Sequence, residues 1–191
     1  MRCLVIAEHD NTELKSSTLN IVNAAHKISS SVDILVAGFE CSAIADAAKE
    51  IKNIDKVKLC DSADYQYQLA ENMSELVAFL SDGYTHILSA ASTSGKNFMP
   101  RVAAEKNVAQ ISDISAVISE DTFERPIYAG NAIATVQSKD PIKIITVRVS
   151  AFEKAEVGSS QAEIEVTPSV ESPNISRFVS QELSRSERPE L

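Results

Sequence analysis

The chain has 191 residues, 44% hydrophobic and 24% charged, which suits one well-buried domain and is too short for two comfortable ones. A formal charge of −9 with no cluster of Lys and Arg argues against nucleic acid and against an anionic membrane surface, since both need gathered cations. No apolar run approaches the roughly 20 residues of a membrane-spanning helix, so no membrane insertion is expected.

The start, "MRCLVIAEHDNTE", has neither a signal-peptide core nor the acid-poor, Arg- and Ser-rich character of a transit peptide. The expected compartment is the bacterial cytoplasm, or the mitochondrial matrix for a processed eukaryotic protein. Residues 2–7 form a continuous apolar run, the pattern of a strand buried on both faces. Leu14, Ile21, Val22, Ala25 and Ile28 then share one helical face within 13–29. A second strand spans 32–38 and closes on Gly38. Ile44, Ala47, Ala48 and Ile51 mark a short helix, and 55–61 a third strand. Leu69, Met73, Leu76, Val77 and Leu80 give the clearest helix, ended by Gly83, and 85–91 is the fourth strand.

Strands alternating with amphipathic helices predict a parallel sheet covered on both faces. Ligands in such sheets bind beyond the carboxyl ends of the strands, where the strand order reverses. That rule places "AEHDN" (7–11) and "STSGKN" (92–97) at the ligand edge. After about residue 110 the pieces become strand-like, with turns at "AGNA" (129–132) and "SKDP" (138–141), and an antiparallel extension of the main sheet is expected. One more edge strand is expected around 162–166.

A Walker A loop needs Gly, four residues, then Gly-Lys-Ser/Thr. Ala90 stands where the first glycine belongs and Asn97 where the hydroxyl belongs, so 92–101 is not that loop. Two readings remain. Pro100 suits the first turn of a helix, whose N–H groups, with Thr93, Ser94, Gly95, Lys96 and Arg101, form a weak anion-loop candidate. Alternatively Gly95 only makes a turn, while Lys96 and Arg101 pair with carboxylates or with another subunit.

Glu8, His9 and Asp10 read as solvent contacts and a helix cap. His26 and His86 fall inside a helix and a strand. Cys3, Cys41 and Cys60 are widely spaced and read as reduced thiols, with no CxxC and no metal spacing. No Ser-His-Asp or Cys-His set can be placed, so neither a catalytic nor a metal site is expected. In "FERPIYAGNAIATV" (123–136), a hairpin by local pattern, Arg125 and Tyr128 are candidates for docking another domain, with Arg148 of "TVR" supporting that surface.

Three stretches together are specific: "LVIAEHDN", "ILSAASTSGKNFMPRVAAEKNVAQISDI", and "RPIYAGNAIATV" followed by "TVRVSAF". In order and spacing they resemble the N-terminal domain of electron transfer flavoprotein alpha subunits, over essentially the whole chain. The resemblance implies a three-layer, Rossmann-like α/β fold of the adenine nucleotide alpha hydrolase type over 1–183, with 184–191 beginning a linker to an FAD-binding domain. It implies a heterodimer with a beta subunit that binds AMP. Electrons would pass from acyl-CoA and other flavin dehydrogenases, as in fatty acid β-oxidation, to a quinone oxidoreductase. The FAD of that heterodimer is not expected to be bound by this part alone. The domain would serve as scaffold and subunit interface, with no catalytic site of its own. The reading from another class is a stand-alone adenine-nucleotide-binding protein or hydrolase using 7–11 and 92–101.

Overall fold

A computed structural model describes residues 1–158 and 161–182; the expected linker at 184–191 lies outside the described residues. The chain runs β1 (Cys3–Ile6), α1 (Ser17–His26), β2 (Val32–Gly38), α2 (Ser42–Lys49), β3 (Lys56–Asp61), α3 (Ala70–Leu80), β4 (His86–Ala90) and α4 (Thr93–Glu105). It continues with β5 (Gln110–Ile114), β6 (Ala116–Val117), β7 (Thr122–Ile127), β8 (Ala132–Gln137), β9 (Lys143–Val147) and β10 (Glu163–Val166).

Seven strands form one parallel sheet in the order β10-β3-β2-β1-β4-β9-β5. Because β1 and β2 are buried on both faces, their alternate side chains feed two separate cores. Val5, Ile34 and Val36 pack with Ile21 of α1 and Ile44 of α2, while Leu4, Ile6 and Leu35 pack with Leu76 of α3 and Met99 of α4. Helices therefore cover both faces, as the alternating pattern predicts. All three cysteines are buried free thiols, and burial pushes Cys3 up to about 12.

The later third of the chain follows a different plan from the expected extension of the main sheet. β9 joins the parallel sheet between β4 and β5, where Ile144, Ile145, Thr146 and Val147 are all buried. Among the named strands, antiparallel pairing is confined to a second, three-stranded sheet in the order β6-β7-β8. Parallel strands need a crossover, and this small sheet supplies the one between β5 and β9 where a helix would normally stand. Fully buried Phe123 of β7, with Val117 and Val136, anchors it to the main core.

α1 begins at Ser17 rather than near residue 13, because residues 8–15 form a loop with Lys15 N–H bonded to the Glu8 carbonyl at 2.8 Å. α4 starts at Thr93, which places Pro100 in the helix interior rather than in its first turn. Both Pro100 and Lys96, four residues earlier, are exposed, so water can reach the carbonyl that the missing N–H leaves unpaired.

Candidate functional site

The strand order reverses between β1 and β4, and the segments after those strands, 7–11 and 91–96, flank the crevice where an α/β sheet holds its ligand. Here the polar groups bond to nearby backbone and helix caps. The Glu8 carboxylate accepts the Ser17 hydroxyl at 2.6 Å, and the Glu8 N–H reaches Thr18 Oγ1 at 3.0 Å. Asp10 Oδ1 accepts the N–H groups of Thr12 and Glu13 at 2.9 and 2.7 Å and the Thr12 hydroxyl at 2.6 Å, holding its carboxyl down at about 2. His9 is buried, and its Nδ1 accepts the Asn11 N–H at 3.1 Å; burial lowers its pKa. A Cβ on Gly38 would lie 2.3 Å from Asn11 Oδ1 and 2.8 Å from His9 Cε1, so a larger residue at the end of β2 would displace these side chains.

Across the crevice, Ser92 caps α4 by accepting the Gly95 N–H at 3.2 Å. A Cβ on Gly95 would stand 2.0 Å from the Ala90 carbonyl oxygen. Gly95 is thus needed for the close approach of α4 to the end of β4. Thr93, Ser94, Gly95 and Lys96 share the first turn, with Lys96 exposed. Arg101 lies eight residues beyond Thr93, about 12 Å along the axis, and reaches Glu71 of α3 at 3.0 Å. The fold does not gather Arg101 with the other anion-loop candidates.

The crevice between the two segments has a volume of about 40 Å³, with His9, Gln68, Met73 and Phe98 among its walls. Ligand pockets usually measure several hundred Å³, far more than this crevice. The β1–α1 loop also lacks the glycines that bring backbone close to a pyrophosphate. A wider recess of about 440 Å³ lies outside it, between Asn11, Tyr67 and Phe178. Its outer wall belongs to a strap, residues 167–182, held by Val170 N–H to the Tyr65 hydroxyl at 3.1 Å and Ser172 to Asn72 at 3.0 Å. Phe178 stacks on Tyr67 with ring centres 3.7 Å apart. Among the described residues no three His, Cys, Asp or Glu side chains converge as a metal site would require.

The hairpin candidates lie elsewhere, and the fold joins two of the three. Arg148, at the end of β9, pairs with Asp113 through Nη2–Oδ2 at 2.5 Å and Nε–Oδ1 at 3.3 Å. Arg125 donates to Ser112 Oγ at 2.6 Å. The two arginines therefore hold adjacent residues of an irregularity in β5 between Ile111 and Ile114, where Asp113 has φ 59°. Tyr128 stands apart at the hairpin tip, 78% exposed. The tip is a run of left-handed residues, with φ of 50° at Tyr128, 54° at Ala129 and 89° at Gly130. Ile118 and Ile133 add exposed apolar surface on this small sheet. Ser112 and Asp113 were missed at the sequence level; their pairing spans 13 and 35 residues.

A parallel sheet layered by helices on both faces, reversing beside its first strand, defines the Rossmann-like class of α/β proteins. The model of the electron transfer flavoprotein domain matches residues 3–172. The chain belongs to this family. It is 48% identical over 191 residues to the electron transfer flavoprotein subunit alpha of Pseudomonas aeruginosa, covering 100% of this chain and 62% of that protein. It is 42% identical over 205 residues to the mitochondrial subunit alpha of Dictyostelium discoideum, covering 99% of this chain and 58% of that one. The subunit alpha of Paracoccus denitrificans is 40% identical over 191 residues, with 100% and 62% covered. The chain thus spans about 60% of the length of these relatives.

Proposed function

We propose that this chain is the N-terminal domain of an electron transfer flavoprotein alpha subunit, acting as scaffold and subunit interface. The observation that carries this reading is the match along the whole chain to proteins named subunit alpha, at up to 48% identity. In the complete assembly, with a beta subunit and FAD, electrons pass from acyl-CoA and other flavin dehydrogenases to a quinone oxidoreductase. The flavin supplies the redox chemistry. The narrow crevice at the carboxyl edge supports a role in which the FAD is held outside these residues. The interface assigned to Arg125, Tyr128 and Arg148 is the small antiparallel sheet, supported by its exposed Ile118, Ile133 and Tyr128. The domain carries no catalytic site of its own in this reading, and 92–101 acts as a helix start and a packing contact. The compartment follows the assembly: cytoplasm in a bacterium, matrix in a mitochondrion. No helix among the described residues is long and apolar enough to cross a membrane.

The test is purification of the 191-residue chain alone and mixed with the beta subunit of the same organism. The chain alone is expected to be colourless and to form a one-to-one complex with beta in light scattering. A stoichiometric yellow flavin spectrum from the chain alone would overturn the reading that FAD is held outside these residues. Absence of the complex would overturn the subunit reading.

A further inference from the structure

Arg125 differs from Arg2, Arg101 and Arg148 in its partner. Arg2 reaches Asp33 at 2.8 Å, Arg101 reaches Glu71 at 3.0 Å, and Arg148 reaches Asp113 at 2.5 Å. Among the described residues no carboxylate pairs with Arg125; its one hydrogen bond goes to the neutral Ser112 hydroxyl. Its Nε is buried with no acceptor. The side chain sits on the same strand face as fully buried Phe123, two residues away. A half-buried guanidinium with an orphan donor is costly to the free chain.

Arg125 also lines a cavity of about 240 Å³ between β5 and the small sheet. Ile111 and Val136 give it apolar walls, and exposed Lys139 contributes a second cation. Asp140 lines it too, but accepts the Ala109 N–H at 3.0 Å. In a chain of net charge −9, two cations and one carboxylate face a partly apolar hole, an excess of one positive charge. An arginine fork and a lysine select a carboxylate, and the apolar walls suit the methylenes that carry it. The cavity is bounded by β8, the edge strand of the small sheet, whose opposite face carries exposed Ile133.

We propose that the cavity under Arg125 is a socket for one Asp or Glu side chain of the partner subunit, closing over the guanidinium as the small sheet docks. The inference rests on the subunit reading and adds to it the chemistry of the contact.

Calorimetry of the chain with the beta subunit, at low and high salt, tests it. Arg125→Met is expected to weaken binding at least about 30-fold, the effect of stripping one member from a desolvated charge pair. Lys139→Met is expected to weaken it about threefold and to reduce the salt dependence. The free Arg125→Met chain should melt close to the parent, because the lost Ser112 hydrogen bond is offset by removal of the orphan donor. Binding by Arg125→Met within threefold of the parent would overturn the socket while leaving the subunit complex intact. A free Arg125→Met chain melting well below the parent would overturn it in favour of a purely structural arginine. Succinate is the third arm: stabilisation of the parent but not of Arg125→Met, at micromolar succinate, would assign the socket to a small organic acid and overturn the side-chain occupant. Failure of the parent chain to bind beta at all would instead remove the subunit reading itself.

Discussion

At the carboxyl edge of the parallel sheet, polar side chains turn inward onto neighbouring backbone; on the small antiparallel sheet, apolar and charged groups turn outward. Glu8, Asp10 and Ser92 are occupied by helix starts and turns, and side chains narrow the crevice between them to about 40 Å³. On the small sheet, Ile118, Ile133 and Tyr128 are each more than half exposed, and Arg125 has no acidic partner among the described residues. At the edge where the class holds its ligands the polar groups are engaged locally, whereas the exposed Ile118, Ile133 and Tyr128 sit on a crossover.

The largest way to break this contrast is Gly95→Ala. The added methyl would sit 2.0 Å from the Ala90 carbonyl oxygen and 2.9 Å from Ser89 Oγ, so α4 must lift from the end of β4. A loss of about 3 kcal/mol is expected in urea unfolding, at the upper end for overpacking because the obstructing atom is backbone. If Gly95→Ala were as stable as the parent, the close approach would not be what requires glycine, and the anion-loop reading would regain ground.

The pH dependence of stability probes the carboxyl edge through His9 and the opposite edge, at the start of β4, through His86. His9 and His86 are both buried, and burial lowers both pKa values. The neutral rings are the ones that fit: His9 Nδ1 accepts the Asn11 N–H, while His86 lies 2.8 Å from the Thr85 hydroxyl and 2.7 Å from the Glu120 carbonyl. A folded pKa below the unfolded one means that the unfolded chain binds the extra proton first as pH falls. The stability these rings contribute is therefore present above about pH 6.5 and declines below it. The thermal midpoint should fall from pH 7.5 to 5.5, and His9→Gln with His86→Gln should flatten that slope. A parent midpoint that rises over this interval would contradict the neutral assignment.

Much of the layered plan was legible because strands buried on both faces appear as continuous apolar runs, as in "VDILVAG" and "THILSAA". The position of β9 was hidden because "KIITV" reads equally as an antiparallel strand; only pairing with β4 and β5 decides its direction. Pro100 misled because proline favours a first turn, yet an exposed interior site tolerates it. The Ser92 cap, three residues before Gly95, was the better signal for the helix start. The socket was not legible. Arg125, Ser112 and Lys139 meet only after β5 bulges and the crossover folds back, and spacing along the chain carries no trace of that.

Two small effects complete the contrast, one on each region. Ala129 at the hairpin tip holds φ 54°, ψ 33°, a left-handed conformation that costs an L-residue roughly 1–2 kcal/mol. Ala129→Gly relieves that strain against glycine's greater chain entropy, and a net gain of roughly 0.5 kcal/mol in the urea midpoint is expected. A loss on this substitution would mean that the methyl packs something in the free chain. Lys96→Ala sits at the other extreme. Its exposed side chain on the first turn of α4 makes no ion pair among the described residues, so stability should stay within about 0.5 kcal/mol of the parent. Calorimetry with AMP and ATP then supplies the discriminating measurement on the same variant. If 92–101 is a helix start and no more, neither nucleotide binds the parent at submillimolar concentration, and Lys96→Ala changes nothing. Submillimolar binding to the parent that disappears in Lys96→Ala would restore the nucleotide edge, and would show that the crevice opens further than its 40 Å³.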